Sequence, residues 1–311
     1  MRRFAAALLA AVLLAGCAAV QTTALRRDPP PDLPRRAELR ATPFFPQTEY
    51  QCGPAALATA LGALGAPADP VRLAEQVFLP ARTGTLQIEL IAGARRQGVV
   101  ATRIAPTLEA ALREVALGRP VIVLQNLGLS WYPVWHYAVL VGHDVEAGEV
   151  LLRSGTTERL ALSMTTFEHT WTRAGAWGVV LTRPGEWPAT ATEAGVVEAA
   201  VGFERAAPPA DALRAYRGAL QRFPHSLSLQ MGLGNTLYAS GDRPAAAAAF
   251  ERAASDHPAE AAPWINLSAT RLELGDREGA LVAARAAVQR AGEAWAAPAR
   301  AALDAAQAAS R

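Results

Sequence analysis

Cys52 and His136 are the residues whose types and settings suit nucleophilic chemistry. The chain has two cysteines in 311 residues. Cys52 stands in Gln51-Cys52-Gly53-Pro54-Ala55-Ala56-Leu57. A thiol attacks as the thiolate, so a reactive cysteine needs help in losing its proton. Apolar residues at Ala56, Leu57, Ala60, Leu61 and Leu64 have the spacing of one helix face. They predict a helix over residues 53–64 with Cys52 at its mouth, where backbone N–H groups favour negative charge. Gly53 lets the chain turn there, and Pro54 is tolerated in a first turn. An imidazole is the second source of help. Of five histidines, His225 and His257 lie beside prolines far along the chain, which leaves His136, His143 and His169. His136 opens the apolar run His136-Tyr137-Ala138-Val139-Leu140-Val141-Gly142, so it sits at a strand mouth and can face a cleft. His143 lies seven residues on, on the order of 20 Å along a strand, so both cannot serve one sulfur. His143 is expected to cap the turn. His169 falls in a helical-looking segment, exposed or packed.

Other elements must position this pair. Short helices are expected at 70–77 and 85–97, and strands at 99–104, 120–124, 136–141, 150–153 and 177–182. The turn-like Glu146-Ala147-Gly148-Glu149 joins two of the strands into a hairpin. Helices first and strands later give an α+β domain over residues 43–185. The loop 125–134, with Trp131, Tyr132 and the adjacent Trp135, either lines the cleft before His136 or forms an ordinary aromatic patch.

Beyond it, residues 193–308 repeat with a 34-residue step. The step takes Pro224 to Pro258, Tyr216 to Phe250, Ala212 to Ala246 to Ala280, and Ala219 to Ala253 to Ala287. Gly241-Asp242 and Gly275-Asp276 fall at one phase and mark turns. Small residues that let helices approach, an aromatic that fills the gap and a late proline resemble the tetratricopeptide repeat. Three units are read, at 193–224, 227–258 and 261–292, with a terminal helix at 294–308. Short arrays of this kind bind a peptide or partner, or brace a neighbouring domain.

Phe45-Pro46-Gln47, Cys52-Gly53-Pro54-Ala55-Ala56-Leu57-Ala58 and the His136–Gly142 phrase together resemble the double-glycine-leader, bacteriocin-processing peptidases in their stand-alone branch. The resemblance implies a papain-like cysteine peptidase domain with a Cys52–His136 pair. In papain-like folds a glutamine just upstream of the nucleophile donates to the oxyanion together with the cysteine's own N–H. By that resemblance the donor is Gln47; Gln51 competes but adjoins Cys52 and points elsewhere. Relatives place Asp or Asn on the next strand to orient the imidazole. Here Ser154 occupies that slot, and a hydroxyl brings no charge to an imidazolium.

The N-terminus reads Met1-Arg2-Arg3-Phe4 and then an Ala/Leu/Val run ending Leu14-Ala15-Gly16-Cys17. A positive start and a short apolar stretch form a secretory signal, too short for the roughly 20 apolar residues of a membrane span. The ending resembles that of bacterial lipoprotein signals. It implies removal of residues 1–16 and acylation of Cys17, with Ala18 favouring the outer membrane on its periplasmic side. Residues 17–42, rich in Pro and Arg, are expected to form an extended tether. The formal charge is +2, and basic residues are scattered without a stripe, which argues against nucleic acid. No cysteine or histidine pair has ligand spacing within one element, so no metal or cofactor is expected. The resulting expectation is an envelope-anchored cysteine peptidase whose repeats recruit a protein substrate or partner. Two alternatives stay open: a catalytically weak or inactive adaptor, and an amidase acting on cell-wall peptides.

Overall fold

The computed structural model describes residues 19–47 and 51–309, so Cys17 lies outside the described residues. The chain divides into two compact units.

The first unit is built on a seven-stranded sheet. Its strands are β1 (Arg36–Glu38), β2 (Val100–Arg103), β3 (Val121–Asn126), β4 (Trp135–Asp144), β5 (Glu149–Ser154), β6 (Thr157–Ser163) and β7 (Gly178–Thr182). The order is β2-β7-β3-β4-β5-β6, with β1 added beside β4. The run Val121-Ile122-Val123-Leu124 is buried throughout, as a β-branched strand with neighbours on both edges should be. β4 is the long strand. On one edge β3 covers it from Trp135 to Leu140, and β1 takes over from Gly142 to Asp144. A Cβ at Gly142 would stand 2.8 Å from the Ala37 carbonyl oxygen, so only glycine lets β1 come this close. On the other edge β5 pairs with β4 only as far as Val139↔Arg153.

Helices α2 (Cys52–Ala63), α3 (Pro70–Val77), α4 (Gln87–Arg96), α5 (Leu108–Ala116) and α6 (Met164–Thr172) surround the sheet. Side chains set their starts: Asp69 caps α3, Thr107 caps α5 and Ser163 caps α6. Leu108, Leu112, Phe167 and Trp171 pack with Val121, Val123, Ala138 and Leu140 in the main core.

Residues 21–42 differ from the expected extended tether. Residues Val20–Arg27 form a helix, α1, with Thr22 and Leu25 buried. The N–H groups of Gln21 and Thr22 donate to the two carboxylate oxygens of buried Glu168, at 3.0 and 2.6 Å. The Gln21 side-chain oxygen in turn accepts from the Leu108 N–H at 2.6 Å. Leu25 and Leu33 join the main core, Asp32 pairs with Arg113, and Arg36–Glu38 become β1. The prolines that suggested an extended chain occupy only the short turns between these elements.

The second unit is helical: α7 (Glu193–Glu204), α8 (Pro209–Arg222), α9 (Leu227–Ala239), α10 (Arg243–Asp256), α11 (Ala261–Glu273), α12 (Arg277–Arg290) and α13 (Glu293–Ala309). These are the paired helices and terminal helix that the 34-residue step predicts. Gly241 and Gly275 adopt φ of +87° and +80°, and Asp242 and Asp276 cap the helices that follow. A Cβ at Gly232 would lie 2.4 Å from the Tyr216 ring, and one at Gly234 2.4 Å from the Phe250 ring. Tyr216 is therefore seated on a glycine of the next helix and Phe250 on a glycine of the preceding one.

Candidate active site

Because β5 stops pairing at Arg153, the edge of β4 at His136–Ala138 has no strand beside it on that side among the described residues. The Tyr137 backbone serves that open edge. Its carbonyl oxygen accepts from the Gln47 side-chain amide at 3.4 Å, and its backbone acts on the Cys52 thiol to favour the thiolate. Cys52 is the first residue of α2, where the sequence placed it, and α2 packs against β4. A Cβ on Gly53 would meet the Thr85 side chain at 2.5 Å, so glycine at the helix mouth is also a packing requirement.

Burial pushes the Cys52 thiol above its ordinary pKa, against hydrogen bonding from the backbone of Tyr137, Gly53 and Cys52 itself. Burial likewise holds the His136 imidazole below its usual value. Cys52 therefore rests as a neutral thiol and His136 as a neutral imidazole. The N–H groups at the helix mouth do not outweigh the loss of water around the sulfur.

His136 begins β4, and its Nε2 lies 2.8 Å from the hydroxyl of buried Ser154 at the end of β5. Nδ1 is left for the other side of the ring. A hydroxyl both donates and accepts, so Ser154 orients the imidazole without dictating its tautomer. Ser154 thus meets the ring from the strand on which the sequence placed it.

Gln47 is fixed by lacing that the sequence did not announce. Its N–H donates to the Gly155 carbonyl at 3.0 Å. The buried Arg153 guanidinium donates to the carbonyls of Thr42, Arg40 and Glu158, at 3.1, 3.3 and 2.7 Å. The segment that carries Gln47 is thereby tied to the strand end that carries Ser154. The signal was present in Val150-Leu151-Leu152-Arg153, where an arginine closes an apolar strand: a buried guanidinium must find acceptors.

The remaining histidines are elsewhere. His143 does not cap a turn: it is buried in β4, and its Nε2–H donates to the Pro34 carbonyl at 2.9 Å. His169 is half-buried in the last turn of α6. Among the described residues no group of three His, Cys, Asp or Glu side chains is placed to hold a metal ion.

Residues 39–179 match the model of the Peptidase_C39 like family, and residues 209–269 match that of the tetratricopeptide repeat. No curated protein matches. Among solved structures, the chain is similar to a protein described as a C39-like peptidase from Bacillus anthracis, at 17% identity and TM-score 0.41, covering 48% of this chain and 98% of that one. A double glycine motif protease from an AMS/PCAT transporter, solved with the leader peptide, is 17% identical at TM-score 0.36, covering 47% and 93%. The Yersinia enterocolitica type III secretion chaperone SycD, solved with a peptide of the translocator YopD, is 14% identical at TM-score 0.35, covering 37% and 92%.

Proposed function

From a chain that carries a C39-like peptidase domain followed by tetratricopeptide repeats, we propose a cysteine peptidase of the bacterial envelope, anchored through an acylated Cys17. The observation that carries the reading is the convergence on Tyr137: the Gln47 amide binds its carbonyl and its backbone favours the Cys52 thiolate, one residue from a histidine held by Ser154.

Attack starts from the neutral pair. The Cys52 proton passes to Nδ1 of His136 as the sulfur adds to the substrate carbonyl carbon. The carbonyl oxygen, now negative, takes hydrogen bonds from the Cys52 N–H and the Gln47 amide. The Gln47 amide nitrogen has two hydrogens, and only one is used on Tyr137. These contacts strengthen as charge develops, which is where a donor accelerates the reaction. His136 then gives its proton to the leaving amine as the C–N bond breaks, leaving a thioester. Water, deprotonated by the same imidazole, releases the acid and restores the thiol. The repeats recruit or orient a protein substrate or partner.

The test is peptide hydrolysis by the full chain. Cys52→Ala and His136→Ala each bring cleavage to background while circular dichroism is unchanged. Cleavage that survives Cys52→Ala excludes the reading.

One observation favours a second reading, a peptide-binding adaptor with little activity. The thiol is held protonated by burial, and Ser154 offers the imidazole no charge. An adaptor retains peptide on a column with wild-type and Cys52→Ala chains alike and hydrolyses none.

A further inference from the structure

The loop between β3 and β4 exposes six large apolar side chains, Leu127, Leu129, Trp131, Tyr132, Val134 and Trp135. No charged residue occurs between Arg119 and Asp144. The loop is a folded hairpin extension. Leu127 N–H donates to the Val134 carbonyl at 2.8 Å, and Leu129 and Tyr132 form a bridge. The Asn126 side-chain oxygen accepts from the N–H groups of Gly128 and Val134, each at 3.0 Å. At its tip Trp131 is 81% and Tyr132 76% exposed. Such exposure means protrusion, whereas a peptide subsite is concave and buries its lining. Protruding Trp and Tyr without charge suit the boundary between lipid headgroups and acyl chains.

The first turn of helix α1 lies toward this end of the domain. Helix α6 runs from the β4–β5 turn, where the Met164 N–H donates to the Gly148 carbonyl, to the base of the loop, where Arg173 donates to the Asn126 carbonyl. Helix α1 runs the opposite way. Its first N–H groups sit on Glu168, and Arg26 near its end reaches the Glu146 carbonyl in the β4–β5 turn. From Glu168 to Arg173 is about 7 Å of helix. Ala19 is already buried, and Cys17 precedes it by two residues, about 7 Å of chain at most. An anchor at Cys17 therefore leaves no slack to hold the loop away from lipid.

We propose that residues 127–135 insert into the membrane interface and, with the anchor, seat the His136 end of the domain on the bilayer. This rests on acylation at Cys17, which the experiment reads separately. The full chain is purified from envelope membranes, its acylation checked by intact mass, and reconstituted into phosphatidylethanolamine/phosphatidylglycerol vesicles with or without bromine on the acyl chains. Bromine should quench part of the tryptophan emission, and Trp131→Ser with Trp135→Ser should lose most of that quenching. Equal quenching in both chains, or none, overturns the proposal. So does a variant that shows no change in quenching but cleaves soluble peptide several-fold less well, which would make the loop a substrate subsite. A chain without acyl mass whose emission is still quenched on mixing with brominated vesicles supports the loop and refutes only the anchor. An acylated chain without quenching refutes only the loop.

Discussion

The Nε2 nitrogen of His136 and the hydroxyl of Ser154 are 2.8 Å apart, and that contact joins the start of β4 to the end of β5. Base catalysis at Nδ1 needs the hydrogen on Nε2, with Ser154 accepting. A serine can also donate to Nε2, and the ring then carries its hydrogen on Nδ1, where it cannot take the thiol proton. An ionised Asp presents acceptors alone, so Ser154→Asp should raise kcat. Ser154→Ala loses a hydrogen bond worth about 1 kcal/mol and should lower kcat about fivefold. Steady-state kinetics on one peptide substrate checks both. An unchanged kcat in Ser154→Ala means that another group orients the ring.

Two pKa directions fix the pH behaviour. The imidazole of His136 must be neutral to accept a proton, and burial lowers its pKa. It therefore stays competent as pH falls past the ordinary imidazole value near 6.5, and the acid limb of kcat/KM should lie below that value. The Cys52 thiol is raised by burial, so iodoacetamide labelling of the full chain should climb only above the ordinary thiol value near 8.5. Fast labelling on a plateau from pH 6 upward would show a resting thiolate and contradict the neutral pair.

The sequence made the placement of Cys52 and His136 readable because each is a local matter. A cysteine before Gly53-Pro54 marks a helix mouth, and a histidine before an apolar run marks a strand mouth. The repeat was legible for a related reason: one packing solution recurs at a fixed step. What was not legible depends on partners far along the chain. The 21–42 segment has no apolar period, yet it is ordered by Glu168 and Arg113, and no property of the segment itself announces those side chains. The strand β6 is largely exposed, so it lacks the apolar signal that revealed β3. The acid–base state of Cys52 follows from burial, which appears only once the domain is packed.

In the second unit Gly232 faces the hydroxyl end of the Tyr216 ring, and that hydroxyl donates to Glu204 at 2.7 Å, so the ring is fixed where a methyl would meet it. Alanine in a helix gains up to about 1 kcal/mol over glycine, but forcing a methyl against a fixed ring costs about 1–3 kcal/mol. Overpacking wins, and Gly232→Ala should lower stability by about 1 kcal/mol in urea unfolding. Gly292 has nothing within 4 Å of a Cβ, so Gly292→Ala should be neutral or slightly stabilising. Equal effects at the two positions would mean that the Tyr216 ring yields.

Glu168 decides whether the N-terminal segment is a docked helix or a loose strap. Its carboxylate accepts from the Gln21 and Thr22 N–H groups, the first donors of α1, which have no partner within the helix. Each N–H left buried and unpaired costs about 1–3 kcal/mol. The cost falls on local opening of α1 rather than on the sheet, since Leu25 and Leu33 are the segment's main grip on the core. Trypsin reads that opening at Arg26 and Arg27, which follow the clamp by a few residues. Nicking there should be slow in the parent chain and about 30-fold faster in Glu168→Ala, the factor that about 2 kcal/mol of lost docking gives. Glu168→Gln keeps one accepting oxygen and should fall between them. Cleavage at the same high rate in all three chains would restore the extended tether and remove the fixed path from Cys17 to the folded domain.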